Sequence, residues 1–148
     1  MKAAIITAAL ACLAAFPALA GSGSIVVKPW SATSSTISTS MAITNITNST
    51  LRVSVDFYNR LGVKVTPTSA QITYSNFGNS NTTIAPRNTG SLKVINMGSD
   101  ASGFAVIRWE NIDANDDIYG LIASGNRTVD TGTLRSEVTI PVNDGMPF

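Results

Sequence analysis

The chain has 148 residues, with ten basic side chains against nine acidic ones, no histidine and a single cysteine. Without histidine, and with Cys12 alone, it holds none of the Ser-His-Asp triads, thiol-imidazole pairs or Cys/His zinc sets that such residues build. A net charge this close to zero offers nothing to draw the chain onto nucleic acid or an anionic lipid surface.

Lys2 precedes an apolar stretch over residues 3–16, and Pro17-Ala18-Leu19-Ala20 then supplies a small-x-small ending before Gly21. This is the pattern of a cleavable secretory signal of bacterial Sec type, over residues 1–20, with the cut after Ala20. The stretch falls short of the roughly 20 apolar residues that span a bilayer, so no membrane insertion is expected once the signal is removed. Cleavage would take Lys2 and Cys12 with it, leaving nine basic and nine acidic residues and no thiol. About a quarter of what remains is Ser or Thr, an uncharged polar surface suited to a secreted, cell-surface or periplasmic protein. Its length is that of one domain able to bury a core without disulfides.

Residues 24–30 form an isolated apolar strand containing Ile25, Val26, Val27 and Trp30, followed by a Ser/Thr-rich linker over residues 31–36. Strict alternation then begins. Ile37, Thr39, Met41 and Ile43 share one face of a strand, and Leu51, Val53, Val55 and Phe57 share one face of the next, opposite Arg52, Ser54, Asp56 and Tyr58. Asn59-Arg60-Leu61-Gly62 reads as a hairpin turn into residues 63–66, which Pro67 ends. Residues 71–74 read as a short edge strand, 82–84 as a further short one and 91–97 as a longer one, with turn residues between them. Phe104-Ala105-Val106-Ile107-Arg108-Trp109 is apolar on both faces apart from Arg108, as expected of a central strand or of one buried by a partner. Residues 119–124 form another apolar strand, and Leu134, Ser136, Val138 and Ile140 alternate in the last. Residues 141–148 contain Pro141 and Pro147 and read as an extended tail ending on a bare Phe148.

Seven to nine short strands at about ten-residue spacing, with no helical period, predict a single antiparallel β-sandwich of immunoglobulin-like or related type, with a β-barrel as the alternative. The expected organisation is a signal over residues 1–20, a strand and linker over 21–36, the sandwich over 37–140 and a tail over 141–148.

Asp113, Asn115 and Asp117 place side-chain oxygens at alternate positions, as in the first half of a calcium loop. Ile118 stands where an EF-hand requires Gly, and Ser124 stands where it requires its bidentate Glu. A different calcium loop or an ordinary polar turn remain as readings. Asn45, Asn48, Asn81 and Asn126 each open an Asn-x-Ser/Thr triplet, which in an Asn- and Thr-rich chain with a bacterial signal reads as turn chemistry. Trp30, Tyr58, Tyr74, Phe77, Trp109 and Tyr119 are the aromatic candidates for stacking on a sugar ring, Tyr58 first because it points away from the inward set. Trp109 shares a face with Ala105 and Ile107, which also fits a core residue. The strand at residues 24–30 has two readings as well: it folds back into its own sheet, or it pairs with the edge of a neighbouring subunit.

The runs Met41-Ala42-Ile43-Thr44-Asn45, Val53-Ser54-Val55-Asp56-Phe57-Tyr58, residues 83–91 and Gly103-Phe104-Ala105-Val106-Ile107 resemble the strand pattern of small bacterial β-sandwich domains of the sensory-rhodopsin-transducer-like kind. The resemblance implies a sandwich that assembles or binds without catalysis. The export signal departs from a cytoplasmic signalling role, and no site residue carries over.

The expectation is an exported, non-enzymatic structural or interaction subunit of an extracellular or cell-surface assembly, with a protein partner or a copy of itself. Ile25, Val26, Val27, Trp30, Tyr58 and Trp109 are the candidate contact residues. A carbohydrate-binding module is the alternative, and an exported hydrolase using paired carboxylates a more distant one.

Overall fold

The computed structural model describes residues 21–78, 81–113 and 119–148. The chain forms two antiparallel five-stranded sheets that face each other as a sandwich and do not close into a barrel. One sheet contains β1 (Ser22–Ser31), β3 (Leu51–Asn59), β4 (Lys64–Val65), β6 (Thr83–Ile84) and β8 (Ser102–Asn111). Its order is β1-β8-β3-β4, with β6 pairing the other end of β3. The second sheet contains β2 (Ile37–Asn45), β5 (Ile72–Ser75), β7 (Thr89–Ile95), β9 (Leu121–Asp130) and β10 (Arg135–Ile140), in the order β10-β9-β2-β7-β5. No α-helix occurs among the described residues, and none is long and apolar enough to cross a membrane.

The alternation sets the inward faces. Leu51, Val53 and Phe57 of β3 and Met41 and Ile43 of β2 are buried, while Arg52 and Ser54 face solvent. Removing that apolar surface from water is the main favourable term, at roughly 25 cal/mol per Å². β8 lies between β1 and β3, the central place that its two-sided apolar character predicts. The predicted edge strand at residues 71–74 is β5, an edge of the second sheet. The strand predicted over 119–124 continues to Asp130, because β2 pairs with it along its full length from Asn45 to Ile37.

Of the two readings of residues 24–30, the structure has the first: β1 pairs antiparallel with β8 of its own chain, from Ser22 opposite Glu110 to Ser31 opposite Ser102. Its register breaks between Val27 and Trp30, around a cis Lys28-Pro29 peptide. Trp30 is fully buried and its indole N–H is shared between the carbonyls of Tyr58 (3.0 Å) and Phe104 (2.9 Å), tying β1 to its neighbour β8 and, beyond it, to β3. The ring meets Phe57 edge-on, with centroids 4.8 Å apart. Gly103, opposite Trp30, permits this approach, since a Cβ there would collide with the Tyr58 carbonyl.

The sandwich also reaches beyond residues 37–140. Ala32, within the expected linker, is buried, donates to Ala101 O (2.9 Å) and accepts from Met97 N–H (2.7 Å). At the other end the tail turns back: Val142 and Phe148 are buried, and the Phe148 carbonyl accepts from the N–H groups of Gly120 (3.0 Å) and Leu121 (3.1 Å). The tail is therefore docked through Phe148, whose N–H also donates to Leu121 O (2.9 Å).

Asn45 organises the opposite end. Fully buried, it donates to the carbonyls of Ser49 (2.8 Å), Ile84 (2.9 Å) and Ala85 (3.1 Å), and its side-chain oxygen accepts from Thr47 N–H and hydroxyl (both 2.9 Å). Its triplet thus has the predicted turn role.

Trp30→Ala should destabilise the chain by about 3–5 kcal/mol, the range for removing a large buried aromatic, measured by urea denaturation. A loss under about 1 kcal/mol, the scale of an exposed site, would show that β1 is not anchored by this ring.

Candidate interaction surface

The outer face of the β1/β3/β8 sheet carries cross-strand ion pairs. Arg52 pairs with Glu110 directly opposite, and Asp56 on β3 takes both Lys64 of β4 (2.7 Å) and Arg108 of β8. Burial pushes the Asp56 carboxyl up, but the hydrogen bonds and charges of Lys64 and Arg108 together outweigh it and hold it below its ordinary value. Beside these pairs Tyr58 stacks on Phe104 with centroids 4.9 Å apart and planes within 7°. A groove of about 640 Å³ runs along this face past Arg52, Ser54, Arg108 and Glu110. Its guanidinium and carboxylate groups are held in these ion pairs, so the face is a self-satisfied charge lattice.

The sequence-predicted contact residues separate into two sets. Val27 and Trp30 are fully buried and Trp109 is 3% exposed, so their side chains belong to the core. Burial follows from β1 closing onto β8, which the strand's own sequence leaves open. Trp109 packs so closely on two glycines that a Cβ at Gly23 would lie 2.5 Å from its indole nitrogen and one at Gly120 would lie 2.5 Å from its ring. Its Nε1–H has no hydrogen-bond partner among the described residues. Ile25 and Tyr58 are half-buried and Val26 is exposed. Tyr58 and Trp109 do not form a common stacking platform, because they project from opposite faces of the same sheet: Tyr58 is opposite Phe104, whereas Trp109 is opposite the inward Val53.

Of the calcium-loop positions, Asn115 and Asp117 lie outside the described residues. Asp113 accepts from Thr50 N–H (2.9 Å), and its own N–H donates to the Asn111 side-chain oxygen (2.8 Å), so it braces the turn between β2 and β3. No cluster of three metal-ligating side chains occurs among the described residues.

The sheet edges differ sharply. β4 and β6 have two residues each, β5 has four, and β1 is interrupted at Lys28-Pro29, all features that keep an edge from recruiting another strand. β10 has six paired residues, and five of them, Arg135 to Thr139, are exposed, so both faces of the strand are open. Leu134, at its start, is 77% exposed and Val138 is 49% exposed. Hydrogen bonding within the hairpin shows which backbone groups are free. Thr131 N–H donates to Leu134 O (3.0 Å), whereas Asp130 N–H turns the other way, to Thr36 O (2.8 Å). Antiparallel pairs alternate, so Leu134, Ser136 and Val138 direct their backbone groups at β9 while Arg135, Glu137 and Thr139 direct theirs outward. No backbone hydrogen bond is made on that outward side among the described residues. Arg135 and Glu137 form an exposed ion pair along the strand (3.0 Å), and Arg135 holds the Glu137 carboxyl below its ordinary value. Sequence reasoning read Leu134 and Val138 only as alternating positions of the last strand and passed over Arg135 and Glu137. The available signal was an Arg-x-Glu pair set on an apolar alternation.

Comparison of the chain with protein-family models, curated proteins and solved structures found no match.

Because the folded Asp56 carboxyl titrates below its unfolded value, its contribution is fully present above about pH 4 and is lost as pH falls through the lower folded value. The difference in melting temperature between the natural chain and Asp56→Asn should therefore shrink towards zero from pH 5 to pH 2. A constant difference over that range would overturn the assignment.

Proposed function

We propose that the chain is an exported, non-enzymatic β-sandwich that serves as a subunit of an extracellular or cell-surface assembly and engages its partner by strand addition along β10. The observation that carries this is the open β10 edge: six residues long, exposed on both faces, with the N–H and C=O groups of Arg135, Glu137 and Thr139 directed away from the sheet. A partner strand placed there gains main-chain hydrogen bonds together with contacts to alternate side chains. Export is supported by the apolar run and Ala18-Leu19-Ala20 ending of residues 1–20. A structural role is supported by the chemistry of the outer faces. The carboxylates of Asp56, Glu110 and Glu137 are each committed to an Arg or Lys, which leaves none of these as a free acid or base.

β1 is not used as the donor in this reading. Its ring at Trp30 and its Val27 side chain fill the core, so a chain lacking residues 24–30 would lose its fold before it lost a partner. Carbohydrate stacking is not favoured at Trp30 and Trp109, which are enclosed, or at Tyr58, which stacks on Phe104; Tyr74 and Phe77 pack on each other, which leaves the exposed Tyr119 alone among the aromatic candidates.

Glu137→Pro removes an outward-facing N–H and spares the bonds to β9, so it is a selective block on strand addition. The chain from Gly21, which holds every core residue described, should elute as an oligomer by size exclusion with light scattering. Glu137→Pro should be monomeric, with a melting temperature within about 5 °C of the parent, the shift expected for about 1 kcal/mol or less. A parent that stays monomeric up to millimolar concentration, or a Glu137→Pro variant that assembles unchanged, would overturn the reading.

A further inference from the structure

We infer that the strand added to β10 is β10 of a second copy of this chain, antiparallel and centred on Ser136, so that the two five-stranded sheets join into one. This rests on the strand-addition reading and names its partner.

The sequence writes Leu134, Ser136, Val138 and Ile140 as one side of a half-buried strand, yet only Ile140 is covered by the chain's own sandwich. Leu134 and Val138 are left as apolar side chains in solvent at an edge with free backbone groups. A second copy covers them in a single arrangement. With Ser136 opposite Ser136 of the other copy, Leu134 falls opposite Val138 and Arg135 falls opposite Glu137, and the two-fold axis repeats each pairing. Thr133 falls opposite Thr139 in the same way. Residues 135 and 137 both direct their backbone groups outward, so their pairing is a hydrogen-bonded one, as the ladder requires.

The neighbouring registers are disfavoured by charge. Outward-facing residues must pair with outward-facing residues, so the nearest alternatives are centred on Arg135 or on Glu137. The first sets the two arginines opposite each other and the second sets the two glutamates opposite each other, arrangements that destabilise a β-pair. Edge charges of a single sign would repel a second copy in every register. An Arg-x-Glu sequence instead accepts its own antiparallel image in the one register that also joins Leu134 to Val138. The closed two-fold symmetry makes the product a dimer, the commonest form of homo-oligomer.

The test uses the chain from Gly21, which contains no cysteine. In the inferred register the two Ser136 Cα atoms form a non-hydrogen-bonded pair about 4.5 Å apart, within disulfide reach. The two Val138 positions are separated along the strands, because each lies opposite Leu134. Under mild oxidation Ser136→Cys should give a covalent dimer at least about tenfold faster than Val138→Cys. In parallel, Arg135→Glu should raise the dimer dissociation constant about tenfold, by turning two attractive cross-strand pairs into repulsive ones. The swap Arg135→Glu with Glu137→Arg should restore it to within about twofold. Equal cross-linking of the two cysteine variants, or no rescue by the swap, would overturn the inference. If the parent is oligomeric and Glu137→Pro abolishes that oligomer while Ser136→Cys does not cross-link, the register and partner fail and strand addition stands. If the parent is monomeric, both fall.

Discussion

The fold depends on how Trp30 is held. A buried indole N–H usually finds a hydrogen-bond partner, and the Trp30 donor bridges the Tyr58 and Phe104 carbonyls, which belong to two different strands. One side chain thereby pins β1 across β8 to β3, beside the register break at Lys28-Pro29. With β1 in place, Val27 is covered and Trp109 is enclosed over Gly23. The segment that most resembles a free donor strand in sequence is therefore an integral wall of the sandwich.

That closure determines where the molecule remains open. A sandwich of two five-stranded sheets has to terminate each sheet, and the termini are unequal. Two-residue strands, a four-residue strand and a proline-interrupted strand protect most of the perimeter, leaving β10 with its regular ladder on one side and free groups on the other. The protruding end of the β9/β10 hairpin is also where the inward face runs out of opposing sheet: Ile140 is buried, while Val138 and Leu134 progressively lose cover. Surface charge follows the same division. On the outer face of the β1/β3/β8 sheet the ionic groups are paired across strands, whereas Arg135 and Glu137 pair along their own strand, Glu137 also accepting from the Thr128 hydroxyl of β9 (3.3 Å).

Asn45 shows how a polar residue can do structural work in a core built from alternation. It lies at an inward-facing end of β2, where a Leu or Ile would fit the pattern, and it satisfies carbonyls of the turn after β2 and of the segment before β7. Leaving those carbonyls without a donor would cost each about 1–3 kcal/mol of desolvation. The turn chemistry of residues 45–50 is thus fastened from inside, and Asp113 fastens it from outside through Thr50.

The strands, their inward faces and the sandwich class were legible in the residues themselves, because a two-residue period over Leu51, Val53 and Phe57 or Met41 and Ile43 is a local property that any half-buried strand must show. The central place of β8 and the edge place of β5 were legible for the same reason, from apolar character on both faces and from brevity. What each strand lies against is a non-local property, and the tertiary structure alone decided it. Ile25, Val27 and Trp30 carry the same apolar pattern whether they pair in their own sheet or in another, and only the docking of Trp30 on the Tyr58 and Phe104 carbonyls selects the first. Conversely, Leu134 and Val138 alternate as convincingly as Leu51 and Val53, yet among the described residues nothing covers them and they stay exposed. Periodicity specifies that a face is apolar. The arrangement of the other strands specifies whether anything in the same chain covers it.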